Sequence, residues 1–238
     1  MKKNILLIHG WDYDNYYGRT TKEAWNNRMT FIEALEKNFN VYYPSLPGFG
    51  TTKEPKVKSW TLDDFANYIN DYILKNNIKV DYILGYSFGG AVAVRYKSKF
   101  NSGVKEILAS PALIRNEENS KKFIRTPKFL NPIRNFIRDI YLIKKVKVKE
   151  MVYGTKFLRN TYQNIVRIKM LDELETMEPK DFQLIYGSKD TMVNPQKVLS
   201  TVNKQFKDRI SIIEGGGHDI ANTHTSELIK IIKNFTNS

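Results

Sequence analysis

Short apolar segments recur along the chain, and between them apolar residues return every three or four positions. Residues 5–8 (Ile5, Leu6, Leu7, Ile8) form a continuous apolar run, the pattern of a strand covered on both faces, and residues 41–43, 80–84, 104–108, 182–186 and 209–213 read as further strands. Residues 24–38 place Trp25, Met29, Ile32 and Leu35 on one helical face, and residues 62–74 do the same with Leu62, Phe65, Ile69 and Ile73. Thr61 is the expected N-cap of that second helix, ahead of Asp63 and Asp64. Residues 91–99 and 225–235 complete the helices. This alternation predicts an α/β fold: a doubly wound, mostly parallel sheet of about six strands with helices on both faces.

The rhythm breaks between residues 112 and 175. Two helical stripes occur there, one of Ile133, Phe136, Ile137, Ile140 and Tyr141, the other of Phe157, Leu158, Tyr162, Ile165 and Val166. We expect a core of residues 1–111 and 176–238 and a helical cap insertion at 112–175, whose stripes pack onto the core and in part line an acyl pocket.

Three loops at predicted strand ends carry chemistry. After residues 80–84 comes Gly85-Tyr86-Ser87-Phe88-Gly89-Gly90, which fits a sharp strand-to-helix turn with an exposed serine hydroxyl; a side chain at Gly85 or Gly89 would collide where strand and helix diverge. After 182–186 comes Gly187-Ser188-Lys189-Asp190, and after 209–213 come three glycines and then His218-Asp219. Asp190 is the expected partner of His218, because side chains of consecutive residues such as His218 and Asp219 usually diverge. His224 reads as a surface residue. The fourth strand ends in Ala109-Ser110-Pro111-Ala112, with no carboxylate.

Together with His9-Gly10-Trp11 and Pro47-Gly48-Phe49-Gly50, these motifs resemble the α/β-hydrolase fold family, and within it the esterases and lipases that carry a His-Gly turn after the first core strand. The resemblance covers nearly all of the chain outside residues 112–175. It implies Ser87 as nucleophile, His218 as general base, Asp190 as the orienting acid, and an oxyanion hole of the backbone N–H groups of Trp11 and Phe88. His9 is expected to be structural. Relative to larger members of the family, the chain is expected to enter the sheet at Ile5 without two leading strands.

The 238 residues include 41% hydrophobic and 13% aromatic positions, which excludes a disordered chain, and no cysteine, which excludes disulfides and thiolate metal sites. Net charge is +13. Residues 115–169 hold fifteen Lys or Arg against four Asp or Glu, an excess of +11, so the rest of the chain carries only +2. Solvated lysines explain part of this; an anionic substrate or anionic lipid surface at the basic cap would explain the asymmetry. Nucleic acid is not expected, since no recognition motif accompanies the charge. No apolar stretch is long enough to span a bilayer, and residues 5–8 are too few for a signal peptide, so a soluble, cytoplasmic protein is expected.

The expected activity is hydrolysis of carboxylic esters with small-to-medium acyl chains through an acyl-enzyme, with no metal or organic cofactor. A thioesterase or lysophospholipase acting on an anionic substrate would use the same residues. A catalytically silent ligand-binding scaffold is the reading from another class, disfavoured because no member of the set is missing.

Overall fold

The computed structural model describes residues 2–114, 149–166 and 168–237. In chain order these form β1 (Lys3–Ile8), α1 (Met29–Glu36), β2 (Phe39–Tyr42), α2 (Leu62–Lys75), β3 (Tyr82–Tyr86), α3 (Phe88–Phe100), β4 (Lys105–Ala109), α4 (Lys149–Tyr153), α5 (Lys156–Ile165), α6 (Leu171–Leu174), β5 (Phe182–Gly187), α7 (Pro195–Thr201), β6 (Ile210–Ile213), α8 (Ile220–Thr223) and α9 (Thr225–Asn237). The six strands make one parallel sheet in the order β2-β1-β3-β4-β5-β6. Winding leaves β1 toward β2 and then reverses to β3, so the crevice between β1 and β3 is the switch point. Ile8 lies opposite Gly85 in that register, which brings the loops after both strands together.

The central stretches of the strands are largely apolar because both faces of the sheet are covered. Successive side chains alternate between two cores. Leu6, Ile8, Ile83 and Leu108 join the core under α2 and α3, while Ile5, Leu7, Leu84 and Ile107 join the core under α1 and α9. At the start of α2 the Thr61 hydroxyl accepts the Asp64 N–H, and the Asp64 carboxylate accepts the Thr61 N–H at 2.7 Å, a reciprocal capping box.

Several boundaries differ from the sequence pattern. The helix expected from residue 24 begins at Met29, because Trp25 is buried ahead of a short 3-10 turn and Arg28, the residue before the helix, turns inward to an ion pair. β3 extends to Tyr86 rather than ending at Leu84, since Gly85 and Tyr86 pair with Leu108 and Ala109, whereas α3 begins at Phe88, directly after the serine as the strand-to-helix turn implies. Only Ser87 separates strand from helix. α7 was not anticipated, although Asn194 caps it by accepting the N–H groups of Gln196 and Lys197 and Pro195 opens it.

Between β4 and β5, α4, α5 and α6 interrupt the alternation; the stripe Ile133, Phe136, Ile137, Ile140 and Tyr141 lies outside the described residues. α5 buries Phe157, Leu158, Thr161 and Ile165. It is also fastened by polar bonds to the loop before α2: Trp60 donates its N–H to Thr161 Oγ1 at 2.9 Å, Asn160 donates to the Lys58 carbonyl at 3.1 Å, and Asn164 to Ser59 Oγ at 3.1 Å. Among the described residues, no helix is long and apolar enough to cross a membrane.

Candidate active site

Ser87 occupies a turn with φ 52° and ψ −115°, a conformation that costs a non-glycine residue about 1–3 kcal/mol. The surroundings hold it there: its N–H donates to the Ala109 carbonyl at 2.9 Å, and its own carbonyl accepts from Gly90 and Ala112, both at 3.0 Å. A Cβ on Gly85 would stand 2.5 Å from the Gly89 carbonyl oxygen, and one on Gly89 would overlap the carbonyl of Ile8 in β1. The first clash is the strand–helix collision the motif predicts. The second arises because α3 also starts hard against the neighbouring strand.

Asp190 follows β5 with its side chain wholly inaccessible. Oδ1 accepts the N–H groups of Met192 at 2.8 Å and Val193 at 2.9 Å, and Oδ2 meets His218 Nδ1 at 2.8 Å. Burial alone would push this carboxyl up, but the bonds from His218 and the two amides outweigh it and hold the group below the usual carboxylate range. A carboxylate can only accept, so Nδ1 carries the proton, and Nε2 presents its lone pair to the Ser87 hydroxyl 2.9 Å away. Ser87, His218 and Asp190 thus form one hydrogen-bonded chain from three separate loops. His224 takes no part; its Nδ1 lies 2.9 Å from the Thr223 hydroxyl.

His9 is buried between two loops. The Leu46 N–H donates to its Nε2 at 2.9 Å, so Nδ1 is the protonated nitrogen and donates to the Gly10 carbonyl at 2.8 Å. Burial drives its pKa down to about 4, so the ring is neutral near pH 7. In a trans peptide the carbonyl and the next N–H point opposite ways. Holding the Gly10 carbonyl toward His9 therefore turns the Trp11 N–H outward. Neither that N–H nor the one of Phe88, at the start of α3, has a protein acceptor among the described residues. The Trp11 ring packs edge-on to Phe49 at 5.0 Å and Phe88 at 5.3 Å, and lies 5.4 Å from Tyr162 of α5, which makes an aromatic wall beside the elbow.

Sequence reasoning missed a cluster on the other side of His218. Arg28 pairs with Asp219, and the hydroxyls of Tyr86 and Ser110 both donate to the His218 carbonyl, at 3.3 and 2.9 Å. Tyr86 stood in the motif, but nothing in the local pattern marked Arg28 or Ser110. Among the described residues, no group of three His, Asp or Glu side chains is disposed to hold a metal ion. The concavity lined by Asn203, Lys204, Gln205, Lys207 and Asp208 lies before β6, at the sheet rim opposite Ser87, and holds neither a histidine nor a hydroxyl nucleophile.

Residues 3–130 match the family described as alpha/beta hydrolase fold. Human monoacylglycerol lipase ABHD6 is 20% identical over 263 residues, covering 98% of this chain and 75% of that protein. The pimeloyl-[acyl-carrier protein] methyl ester esterase of Pseudoalteromonas atlantica is 27% identical over 105 residues, 44% of this chain and 35% of that one. Among solved structures, the esterase EaEST from Exiguobacterium antarcticum superposes with a TM-score of 0.64 at 15% identity, covering 99% of this chain and 92% of its own; a likeness at that identity establishes shared fold alone.

Proposed function

The chain belongs to the α/β-hydrolase fold family, and we propose that it cleaves carboxylic esters through an acyl-enzyme on Ser87. The observation that carries this reading is the continuous bond chain from Ser87 Oγ to His218 Nε2 at 2.9 Å and from His218 Nδ1 to Asp190 Oδ2 at 2.8 Å. Ser87 Oγ attacks the acyl carbon while His218 Nε2 takes its proton, and Asp190 stabilises the resulting imidazolium. The N–H groups of Trp11 and Phe88 receive the oxyanion, and such a donor typically contributes about 10²–10³ in rate. Collapse expels the alcohol with the proton from His218. Water, deprotonated by the same nitrogen, then releases the acid and regenerates Ser87.

The residues of the insertion, α5 among them, serve in this reading as a cap over the elbow. Phe157 and Leu158 pack in the same core as Phe88, and with Trp11 and Tyr162 they favour an apolar acyl chain of small-to-medium length. The charge excess of +11 in residues 115–169 supports a second reading, in which the ester or thioester carries an anionic group, as in a lysophospholipid or acyl-CoA. A panel of p-nitrophenyl esters graded by acyl length, run beside acyl-CoA and lysophospholipid at low and high salt, separates the two. Turnover of neutral esters with little salt dependence supports the first, salt-sensitive turnover of the anionic substrates supports the second, and no turnover of any substrate overturns both.

A further inference from the structure

We infer that Arg28 is a positioning residue for His218: it captures the Asp219 carboxylate, so that the imidazole answers to Asp190 alone. The inference rests on the ester-hydrolase reading above. Two carboxylates neighbour His218, Asp190 bonded to its ring from across the loop and Asp219 next in the chain. Gly215, Gly216 and Gly217 precede it, and the Lys189 N–H on the Gly216 carbonyl at 2.8 Å ties that loop to the one bearing Asp190, so the backbone aims the ring at Asp190 while leaving the Asp219 carboxylate one residue away to be neutralised.

That carboxylate is taken up by a group 191 positions away in the sequence. The Arg28 guanidinium forks onto Asp219, Nε to Oδ1 at 3.0 Å and Nη2 to Oδ2 at 3.2 Å, while Nη1 donates to Asn27 Oδ1 at 2.8 Å. Asn222 adds a bond to Oδ2 at 2.9 Å. Such a two-pronged pairing is directional as well as attractive, which a lysine could not reproduce. Arg28 is only 8% exposed, and its guanidinium lies over the Tyr86 ring, 4.6 Å from its centroid.

The same cluster grips the backbone of the base. The Tyr86 hydroxyl, which burial keeps un-ionised, donates to the His218 carbonyl, and Ser110, at a left-handed φ of 45°, donates to the same oxygen. Tyr86 directly precedes Ser87, so the residue beside the nucleophile braces the residue that would activate it.

The charge consequence is specific. His218 is faced by Tyr86 at the end of β3 and Ser87 just after it, by Ser110 just after β4, and by Asp190 from the loop after β5 with the buried, un-ionised Tyr186 behind it. Asp219 and Arg28 complete the surroundings. Arg28 and Asp219 are paired with each other, and the Asp190 carboxylate is the charge in direct contact with the ring.

The test is the pH profile of ester kcat/KM for Arg28→Met, Asp219→Asn and the double variant, with Arg28→Lys as a charge-retaining control. Arg28→Met leaves a bare carboxylate near the ring and favours imidazolium, so the acidic limb moves up by about half to one pH unit. Asp219→Asn moves it down, the double variant returns it to the wild-type position, and Arg28→Lys leaves the limb in place while lowering kcat. A merely structural role would lower activity without opposite displacements and without restoration, and limbs unmoved in both single variants overturn the inference. Titration of the His218 ring by NMR gives the same readout without substrate. Inactive wild type with the opposite ring displacements therefore defeats the parent reading alone, whereas active wild type with unmoved limbs defeats this inference alone.

Discussion

Leu46 donates its N–H to Nε2 of His9 at 2.9 Å, joining the loop after β2 to the loop that carries Trp11. The bond fixes the tautomer of His9, which in turn holds the Gly10 carbonyl. His9→Phe keeps a ring of similar bulk but leaves the Leu46 N–H and Gly10 carbonyl without their partner. The expected loss is about 2–6 kcal/mol in urea unfolding, at about 1–3 kcal/mol for each of the two buried groups left unpaired. Ester kcat should fall at least about tenfold with a smaller change in KM, because the oxyanion role proposed for the Trp11 N–H serves the transition state more than the ground state. Unchanged stability and kcat would remove His9 from the account.

The same residue gives a pH dependence. His9 has a folded pKa of about 4 against 6.5 when unfolded, so between those values the unfolded chain binds more protons and stability falls as pH drops. His9→Phe abolishes this contribution. The difference in unfolding free energy between wild type and variant should therefore shrink on going from pH 7 to pH 4, measured by urea denaturation.

Glu106 behaves in the opposite sense. It lies in β4 with no exposed surface, and neither carboxylate oxygen has a hydrogen-bond partner among the described residues. Burial pushes its pKa up to about 8, against an ordinary 4.5. The folded state therefore holds the proton longer than the unfolded chain, and stability falls as pH rises from about 4.5 through 8. Nearby Lys97 is committed to the carbonyls of Ser102 and Val104 and to Asp181. Glu106→Gln should stabilise the protein by a margin that grows across that interval and levels off above it, read as the difference in melting temperature between pH 5 and pH 9. A constant difference would contradict the assignment.

Gly89 and Gly103 offer a paired test of the close approach at the elbow. A Cβ at Gly89 overlaps the Ile8 and His9 carbonyls, whereas one at Gly103 meets nothing within 4 Å. Gly89→Ala should cost more than about 3 kcal/mol or prevent folding, while Gly103→Ala stays within about 1 kcal/mol of wild type. Equal effects in thermal unfolding would mean that α3 is not pressed against β1 as described.

Much of this arrangement is legible in the chain because strand runs covered on both faces announce themselves. Each of Ser87, Asp190 and His218 follows such a run, and a parallel sheet delivers all strand ends to one rim. The preference for Asp190 over Asp219 follows from local geometry, and the structure pairs Asp219 with Arg28 instead. What is not legible depends on tertiary contact. Arg28 sits ahead of a short helix whose start the apolar period misplaces, and its partner is 191 residues away. Ser110 reads as an ordinary turn residue until its hydroxyl is seen on the His218 carbonyl.

The most direct measurement is intact mass after exposure to a fluorophosphonate, followed by peptide mapping. The account predicts a single phosphonyl adduct on Ser87 in wild type, none in Ser87→Ala, and labelling slowed at least about a hundredfold in His218→Ala, consistent with the contribution of a general base. Equal labelling of wild type and Ser87→Ala, or an adduct on another residue, would contradict it.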